Sequence, residues 1–279
     1  MRTLFWNWCK NDLTAMTSIL TYERGVDLLI IAECTKNSAD LAAALNSSSN
    51  LQGRRFQVDL GFAQRLTIVS GLEQDSVKPV SDALHYSIRE YRPNGEAPIL
   101  VVCAHLPSKR FQSEQSQQSL AFELANAIKS AEERQGHART ILIGDLNMNP
   151  FDSGMVAANG LHAVMDRKIA EQIDRSIFGV EHKFFYNPMW SMLGDRKNRP
   201  SGTYYYSNSA HVSYFWHTFD QVLLRPSLLK HYNDNGVKVI TRIGGTTLRS
   251  KKGRPNKSFS DHFPILLNLT IRSEAKNVH

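Results

Sequence analysis

Thr140-Ile141-Leu142-Ile143-Gly144-Asp145-Leu146-Asn147 is the stretch on which the reading of this chain turns. The run before Gly144 is apolar enough for a central strand of a sheet and too short for a helix. A carboxylate and an amide follow it at once. Residues two apart in an extended chain point to the same side, so Asp145 and Asn147 are expected to face one site together before Asn149-Pro150 turns the chain away. A second polar cluster, Ser260-Asp261-His262, stands just before the apolar run from Phe263 to Ile271. Carboxylate, amide and imidazole groups set at strand ends are what metal-assisted phosphoester hydrolysis needs.

Outward from these clusters, apolar or alternating runs cover Thr3 to Trp8, Leu28 to Ala32, Arg65 to Ser70, Leu84 to Tyr91, Ile99 to Ala104, Asp220 to Leu224 and Val237 to Thr241. Many are bounded by Gly, Pro, Asn or Asp and read as strands. Pro93-Asn94-Gly95 is a turn signal, so the runs on either side of it are expected to pair antiparallel. Helical spacing is clearest from Ser116 to Gln135, where Leu120, Leu124, Ala127, Ile128 and Ala131 recur and Gly136 supplies a stop. A second helix is expected over Leu13 to Arg24 with Asn11 or Asp12 as cap, and a shorter one from Ser38. No linker, low-complexity tract or internal repeat divides the chain. The expectation is one α+β domain over residues 1–279, built as packed sheets with helices on their outer faces.

With 279 residues, 42% of them hydrophobic, the chain can bury a sizeable core. A formal charge of +7 and a pI near 9.3 favour polyanionic partners such as nucleic acid or an anionic membrane surface, although a basic soluble protein has the same balance. Cys9, Cys34 and Cys103 make an odd count beside apolar runs, which gives no disulfide framework and reads as buried thiols. No secretory pattern follows Met1-Arg2, and no apolar run approaches the ~20 residues of a membrane helix. A cytoplasmic protein without a membrane anchor is expected.

Other polar residues break the apolar pattern where strands end. Asn7 lies in Phe5-Trp6-Asn7-Trp8, and Glu33 terminates Leu28 to Ala32. His105 ends the run from Ile99, and Lys109 and Arg110 shortly after it offer cations to a phosphate. Taken singly, each also fits an ordinary solvated loop residue. Asp220 opens a buried strand, where an acid is well placed to orient a histidine by hydrogen bonding, and His262 is the candidate.

In chain order, Trp6-Asn7, Glu33 with Thr35-Lys36, His105, Gly144-Asp145-Leu146-Asn147, Phe219-Asp220 and Ser260-Asp261-His262 resemble the endonuclease/exonuclease/phosphatase superfamily, which includes deoxyribonuclease I, exonuclease III, sphingomyelinases and inositol polyphosphate 5-phosphatases. The resemblance implies a four-layer α/β/β/α sandwich of two mainly antiparallel sheets packed face to face, with the active site at the mouth between them. It implies Glu33 as the main ligand of a divalent ion with Asn7 and Asp261 nearby, and hard oxygen donors suit Mg²⁺ or Mn²⁺. By the same resemblance Asp145 takes the proton of the attacking water, Asn147 helps fix that water and the phosphate, Asp220 holds His262 protonated, and His105 hydrogen-bonds the phosphate. His105 matches the deoxyribonuclease I-like members, where exonuclease III-like enzymes carry Tyr. The glutamate that partners this His in deoxyribonuclease I has Glu73 as its candidate here. Glu33-Cys34-Thr35-Lys36 is similar instead to a Glu-Thr-Lys stretch of the exonuclease III branch with one residue inserted, so the sub-family stays open.

Substrate choice falls to the loops. Residues 182–217 are rich in aromatics, among them Trp190, Tyr204, Tyr205, Tyr206, Tyr214, Phe215 and Trp216, with Arg196, Lys197 and Arg199 interspersed. That composition suits phosphate contact plus base stacking, and equally a strand packing one sheet edge. A basic loop of Arg249, Lys251, Lys252, Arg254 and Lys257 leads into Asp261-His262. Together with Tyr204, Lys109 and Arg110, these are the expected substrate contacts.

The first expectation is a Mg²⁺-dependent endonuclease, with DNA ahead of RNA as its partner. The alternatives are a phosphatase or phosphodiesterase on a lipid head group, inositol phosphate or nucleotide, and an inactive nucleic-acid-binding member. Because free cleavage in the cytoplasm threatens the host genome, a regulatory protein partner is a further expectation.

Overall fold

The computed structural model describes residues 1–10, 12–47, 55–59, 65–73, 76–92, 97–108, 113–195, 199–209 and 211–271. Asn11, the Pro93-Asn94-Gly95 turn, Lys109, Arg110, Arg196 and Lys197 lie outside the described residues.

The chain runs β1 (Arg2–Asn7), α1 (Leu13–Tyr22), β2 (Leu28–Ala32), α2 (Ser38–Ser47), β3 (Gln57–Asp59), β4 (Leu66–Ser70), β5 (Val77–Ala83), β6 (Tyr86–Tyr91), β7 (Ile99–His105), α3 (Glu114–Gln135) and β8 (Thr140–Asp145). It continues through α4 (Ser153–Val156), β9 (Ala163–Val164), α5 (Arg167–Ala170), β10 (Asp174–Ile177), β11 (Val180–Lys183), β12 (Phe185–Tyr186), β13 (Tyr204–Tyr205) and β14 (Trp216–His217). The last strands are β15 (Asp220–Leu224), β16 (Val237–Val239), β17 (Arg242–Ile243), β18 (Thr246–Thr247) and β19 (Ile265–Asn268).

Two large sheets form, in the orders β16-β19-β1-β2-β4-β3 and β5-β6-β7-β8-β15-β12-β9. Side chains alternate across each strand, so every central strand feeds two layers. Phe5, Ile30 and Ile68 meet Val101, Cys103, Ile143 and Val222 between the sheets. On the outer face of the first sheet, Leu4, Trp6, Leu29 and Ile31 pack against Met16, Ile19, Leu41 and Leu45 of α1 and α2. On the second, Leu100, Val102, Leu142 and Leu223 pack against Ala121, Leu124, Ile128 and Ala131 of α3. This is the expected α/β/β/α sandwich. Its pairings are antiparallel except β1–β2, β7–β8 and β9–β12.

Two of those parallel exceptions build the site. A parallel pair places both C-terminal ends side by side, so Asn7 lies opposite Ala32, next to Glu33, and His105 lies opposite Asp145. Antiparallel β15 brings its first residue, Asp220, opposite Asp145 from the other side. Gly144 lets β7 and β8 approach just behind that point, since a Cβ there would stand 1.9 Å from the Ala104 carbonyl oxygen.

Local signals set the helix ends. Asp12 caps α1 by accepting from the Thr14 and Ala15 amides at 3.0 and 3.3 Å. Ser113 caps α3, and Gly136, left-handed at φ 71°, closes it. Strands β6 and β7 pair antiparallel as expected. Several expected boundaries were too long: Leu84 and His85 form a turn, β16 stops at Val239, and β19 starts only at Ile265. Pro264 explains the last, because it has no N–H to give to a ladder. No cysteine is in a disulfide, and Cys103 is buried as expected, whereas Cys9 and Cys34 are only partly buried.

Candidate active site

The polar strand ends converge at the mouth between the sheets. Asn7 Nδ2 donates to Asp145 Oδ2 at 3.0 Å and, at a longer 3.5 Å, to Glu33 Oε1. His105 Nε2 stands 3.7 Å from Glu33 Oε1 and 4.0 Å from Asp145 Oδ2, and its Nδ1 is buried without a hydrogen-bond partner. Glu33 leaves the strand in a left-handed conformation, φ 57°, and its side chain is 48% exposed, whereas Asp145 is buried. The site is thus floored by buried groups and opened to solvent on the Glu33 side.

Asn147 reaches the site by a different route from the one the sequence suggests. The strand ends at Asp145, and Asn147 adopts φ 50° instead of continuing the alternation. Its backbone N–H donates to Asp145 Oδ1 at 2.9 Å, and its Nδ2 donates to the Leu106 carbonyl at 2.8 Å. Gln117 of α3 donates to the Asn147 carbonyl at 3.0 Å from behind. Asn147 therefore holds the Asp145 carboxylate in place, with its own amide N–H groups directed to the backbone.

His262 Nδ1 lies 2.8 Å from Asp220 Oδ2 and 3.9 Å from Asp145 Oδ2. Its backbone is fixed on both sides, by Trp6 Nε1 donating to its carbonyl at 3.0 Å and by its N–H donating to Ser260 Oγ at 3.1 Å. Ser260 Oγ in turn donates to the Asn7 carbonyl at 2.6 Å. Burial alone would lower the pKa of His262, but the carboxylates of Asp220 and Asp145 outweigh it and hold the value at about 10. Burial pushes the Asp220 carboxyl upward while the His262 charge pulls it back, so the proton of this pair belongs on the imidazole. Nε2 of His262, across the ring, makes no hydrogen bond among the described residues.

Asp145, Asp220 and His262 present ligand atoms that all lie within 4.8 Å of one another. A cation among them would compete with the imidazolium proton that already answers both carboxylates. Glu33 and Asn7 fit a hard divalent ion better. Asn7 Oδ1 is buried without a partner, an oxygen with its acceptor capacity unused beside the half-exposed Glu33 carboxylate. Asp261 stands farther off, accepting from Cys9 Sγ at 3.4 Å, with no polar contact to Glu33 or Asn7 among the described residues.

Sequence patterns missed two basic residues here, Arg65 and His85. His105 N–H donates to the His85 carbonyl at 2.8 Å, and Glu33 N–H to the Arg65 carbonyl at 3.4 Å. Burial and the nearby charges of Arg65 and His105 lower the pKa of His85. Arg65 has no ion pair among the described residues. Glu73 is an exposed loop residue with no bond to His105. Asn149 does more than turn the chain: its Oδ1 accepts from the Thr218 N–H at 3.0 Å and its Nδ2 lies 3.1 Å from His217 Nδ1.

The rim joins the two loop segments singled out in the sequence. Tyr204 bridges to His262 through the backbone and lays its ring 4.6 Å from the imidazole. Arg254 lies 3.7 Å over the Tyr205 ring, which ties the basic loop to the β13–β14 hairpin. Lys251 and Lys252 are exposed, while Arg249 is half-buried and bridges to Pro255 through its backbone.

No family model and no curated protein matches this sequence. Solved structures do. A 3′ phosphatase of Neisseria, NExo, bound to product DNA hairpin, is 14% identical, with a TM-score of 0.55 over 96% of this chain and 99% of that one. D. rerio TDP2 complexed with single strand DNA product is 17% identical, with a TM-score of 0.55 over 96% and 97%. The endonuclease domain of TRAS1, a telomere-specific non-LTR retrotransposon, is 14% identical, with a TM-score of 0.51 over 97% and 99%. These likenesses show the fold, a deoxyribonuclease I-like sandwich.

Proposed function

We propose that this chain, acting as a single domain, is a divalent-metal-dependent phosphodiesterase on nucleic acid, with DNA ahead of RNA, that leaves 5′-phosphate and 3′-hydroxyl ends. The observation that carries the reading is the His262–Asp220 pair facing Asp145, with Asn7 and Glu33 in the same mouth. Hydrolysis at phosphorus needs a base for the attacking water and positive charge for the oxygens that gain negative charge. Asp145, held by the amides of Asn7 and Asn147, takes the water proton. His262, kept as imidazolium by Asp220, turns Nε2–H toward the phosphate, and His105 approaches from the opposite wall. A Mg²⁺ or Mn²⁺ ion held by Glu33 and Asn7, with Asp261 reached through water, would neutralise the non-bridging oxygens.

DNA is placed first because the structural neighbours are described with DNA products and the chain carries a charge of +7. Removal of a terminal phosphate is a second reading, favoured by Arg65, whose carbonyl accepts from the Glu33 N–H at 3.4 Å and whose guanidinium would meet an extra negative charge. No helix among the described residues is long and apolar enough to cross a membrane, and thiols outside disulfides suit a reducing cytoplasm. Purified protein incubated with supercoiled plasmid, single-stranded DNA, RNA and a 3′-phosphorylated oligonucleotide, each with Mg²⁺, Mn²⁺ or chelator, tests the proposal. Metal-dependent strand cleavage absent from His262→Ala is the expected result. Cleavage that survives that substitution would sink the assigned roles, and release of terminal phosphate alone would transfer the activity to the second reading.

A further inference from the structure

Aromatic rings lead away from His262 without a gap. Tyr204 lies 4.6 Å from His262, Phe219 5.5 Å from Tyr204 and His217 4.6 Å from Phe219. Tyr214 follows at 6.3 Å from His217, Phe151 at 5.4 Å from Tyr214 and Trp190 at 6.3 Å from Phe151. The inner rings are packed into the protein. Tyr214 and Phe151 are not, at 60% and 37% exposed, while Trp190 is half-buried with its indole N–H sealed from solvent and without an acceptor. Three separate segments supply these outer rings, namely the turn after β8, the helical turn Pro188–Met192 and the β13–β14 connection. Core packing accounts for the inner rings. It gives no reason for Phe151 to join both Tyr214 and Trp190 at the exposed end of the track.

We propose that Tyr214, Phe151 and Trp190 form a stacking platform for unpaired bases beyond the scissile phosphate, so that the protein cuts single-stranded or frayed nucleic acid in preference to intact duplex. The proposal rests on the phosphodiesterase reading above. A base inside a duplex has both faces covered by its neighbours and offers only an edge, whereas an unpaired base has a face to lay on a ring. The backbone of such a strand has its counter-charge close by. Arg254, stacked on Tyr205, ties the basic segment 249–257 to the hairpin whose connection carries Tyr214. The track begins at the ring touching His262, so a strand with its phosphate at that imidazole is already in line with the platform.

Two measurements separate this inference from the reading it rests on. The first is fluorescence anisotropy of a labelled ten-nucleotide single strand and of a hairpin duplex, in chelator so that nothing is cut. The single strand should bind tighter, and Phe151→Ala and Tyr214→Ala should each weaken it by about fivefold to a hundredfold, the range for loss of one base–aromatic stack. Tyr214→Phe, which keeps the ring, should retain most of the affinity and shows that the hairpin still folds. The second is hydrolysis of the same strand against bis-p-nitrophenyl phosphate, which has no bases to stack. The alanine variants should lose at least five times more kcat/KM on the strand than on the small ester. Equal affinity for duplex and single strand, or equal losses on both esters, overturns the platform while leaving the phosphodiesterase intact. Ring-dependent binding without hydrolysis of any phosphodiester overturns the latter and leaves the platform standing.

Discussion

The floor of the site and its rim are built on opposite principles. The floor is made of strand ends: Asn7, His105, Asp145 and Asp220 stand buried at the termini of β1, β7, β8 and β15, in positions fixed by sheet register. The rim is made of connections: the segment around β13 and β14 and the basic loop touch each other through rings and a guanidinium, and their outer side chains are exposed. Register tolerates no compromise, because a slip of one residue turns every side chain to the other face. Loops tolerate a great deal. The chemistry is therefore expected to be brittle and the substrate preference soft, and substitutions can break or sharpen that contrast.

The largest expected effects are on the floor. His262→Ala should lower kcat by about a thousandfold or more while leaving nucleic-acid binding within a fewfold, since it removes charge aimed at the reacting phosphate. Single-turnover hydrolysis beside anisotropy measures both, and a matched loss in the two would mean that His262 only holds the rim in place. Glu33→Gln should raise the Mg²⁺ concentration for half-maximal activity by tenfold or more, read by metal titration. An unchanged metal requirement would move the ion away from Glu33 and Asn7.

Gly144→Ala tests the register itself. A Cβ would stand 1.9 Å from the Ala104 carbonyl oxygen, so β7 must part from β8 where His105 meets Asp145. Thermal denaturation should show a fall of more than about 5 °C, from a cost of about 2 kcal/mol or more. A variant as stable and as active as the parent would show that the floor is more yielding than its packing indicates.

The pH dependence of stability is a smaller effect with a definite sign. His262 is held at about 10, above the ordinary imidazole value, so the fold favours its protonated form. That stabilisation is complete below about pH 6.5 and is lost as pH rises through 10. In metal-free protein the melting temperature should decline over that window, and His262→Asn should flatten the decline. The smallest effect belongs to the rim. Lys251→Ala with Lys252→Ala should weaken nucleic-acid binding only a fewfold at moderate salt, and should lower the slope of log affinity against log salt by about one to two.

The same contrast explains what could be read in advance. Central strands announce themselves by apolar runs, and a polar residue ending such a run is conspicuous, so Asn7, Glu33, His105, Asp145, Asp220 and His262 were all legible. Asn147 was found for the wrong geometric reason, since its left-handed turn, not strand alternation, brings it to Asp145. Arg65 and His85 were missed because nothing in a strand-end arginine or a turn histidine distinguishes it from surface residues. Phe151 was missed for the same reason, standing alone in sequence and meeting Trp190 and Tyr214 only in space.

By itself, then, the chain's order of residues determined the strands, the helix caps and the layered class, because periodicity and capping act over a few residues. Only the tertiary structure decided that His262 carries its proton between Asp220 and Asp145, that Asn7 keeps an unused oxygen beside Glu33, and that the rings run outward from the imidazole. Those facts depend on distances between residues as far apart in sequence as Asp145 and His262, and local sequence does not encode such distances.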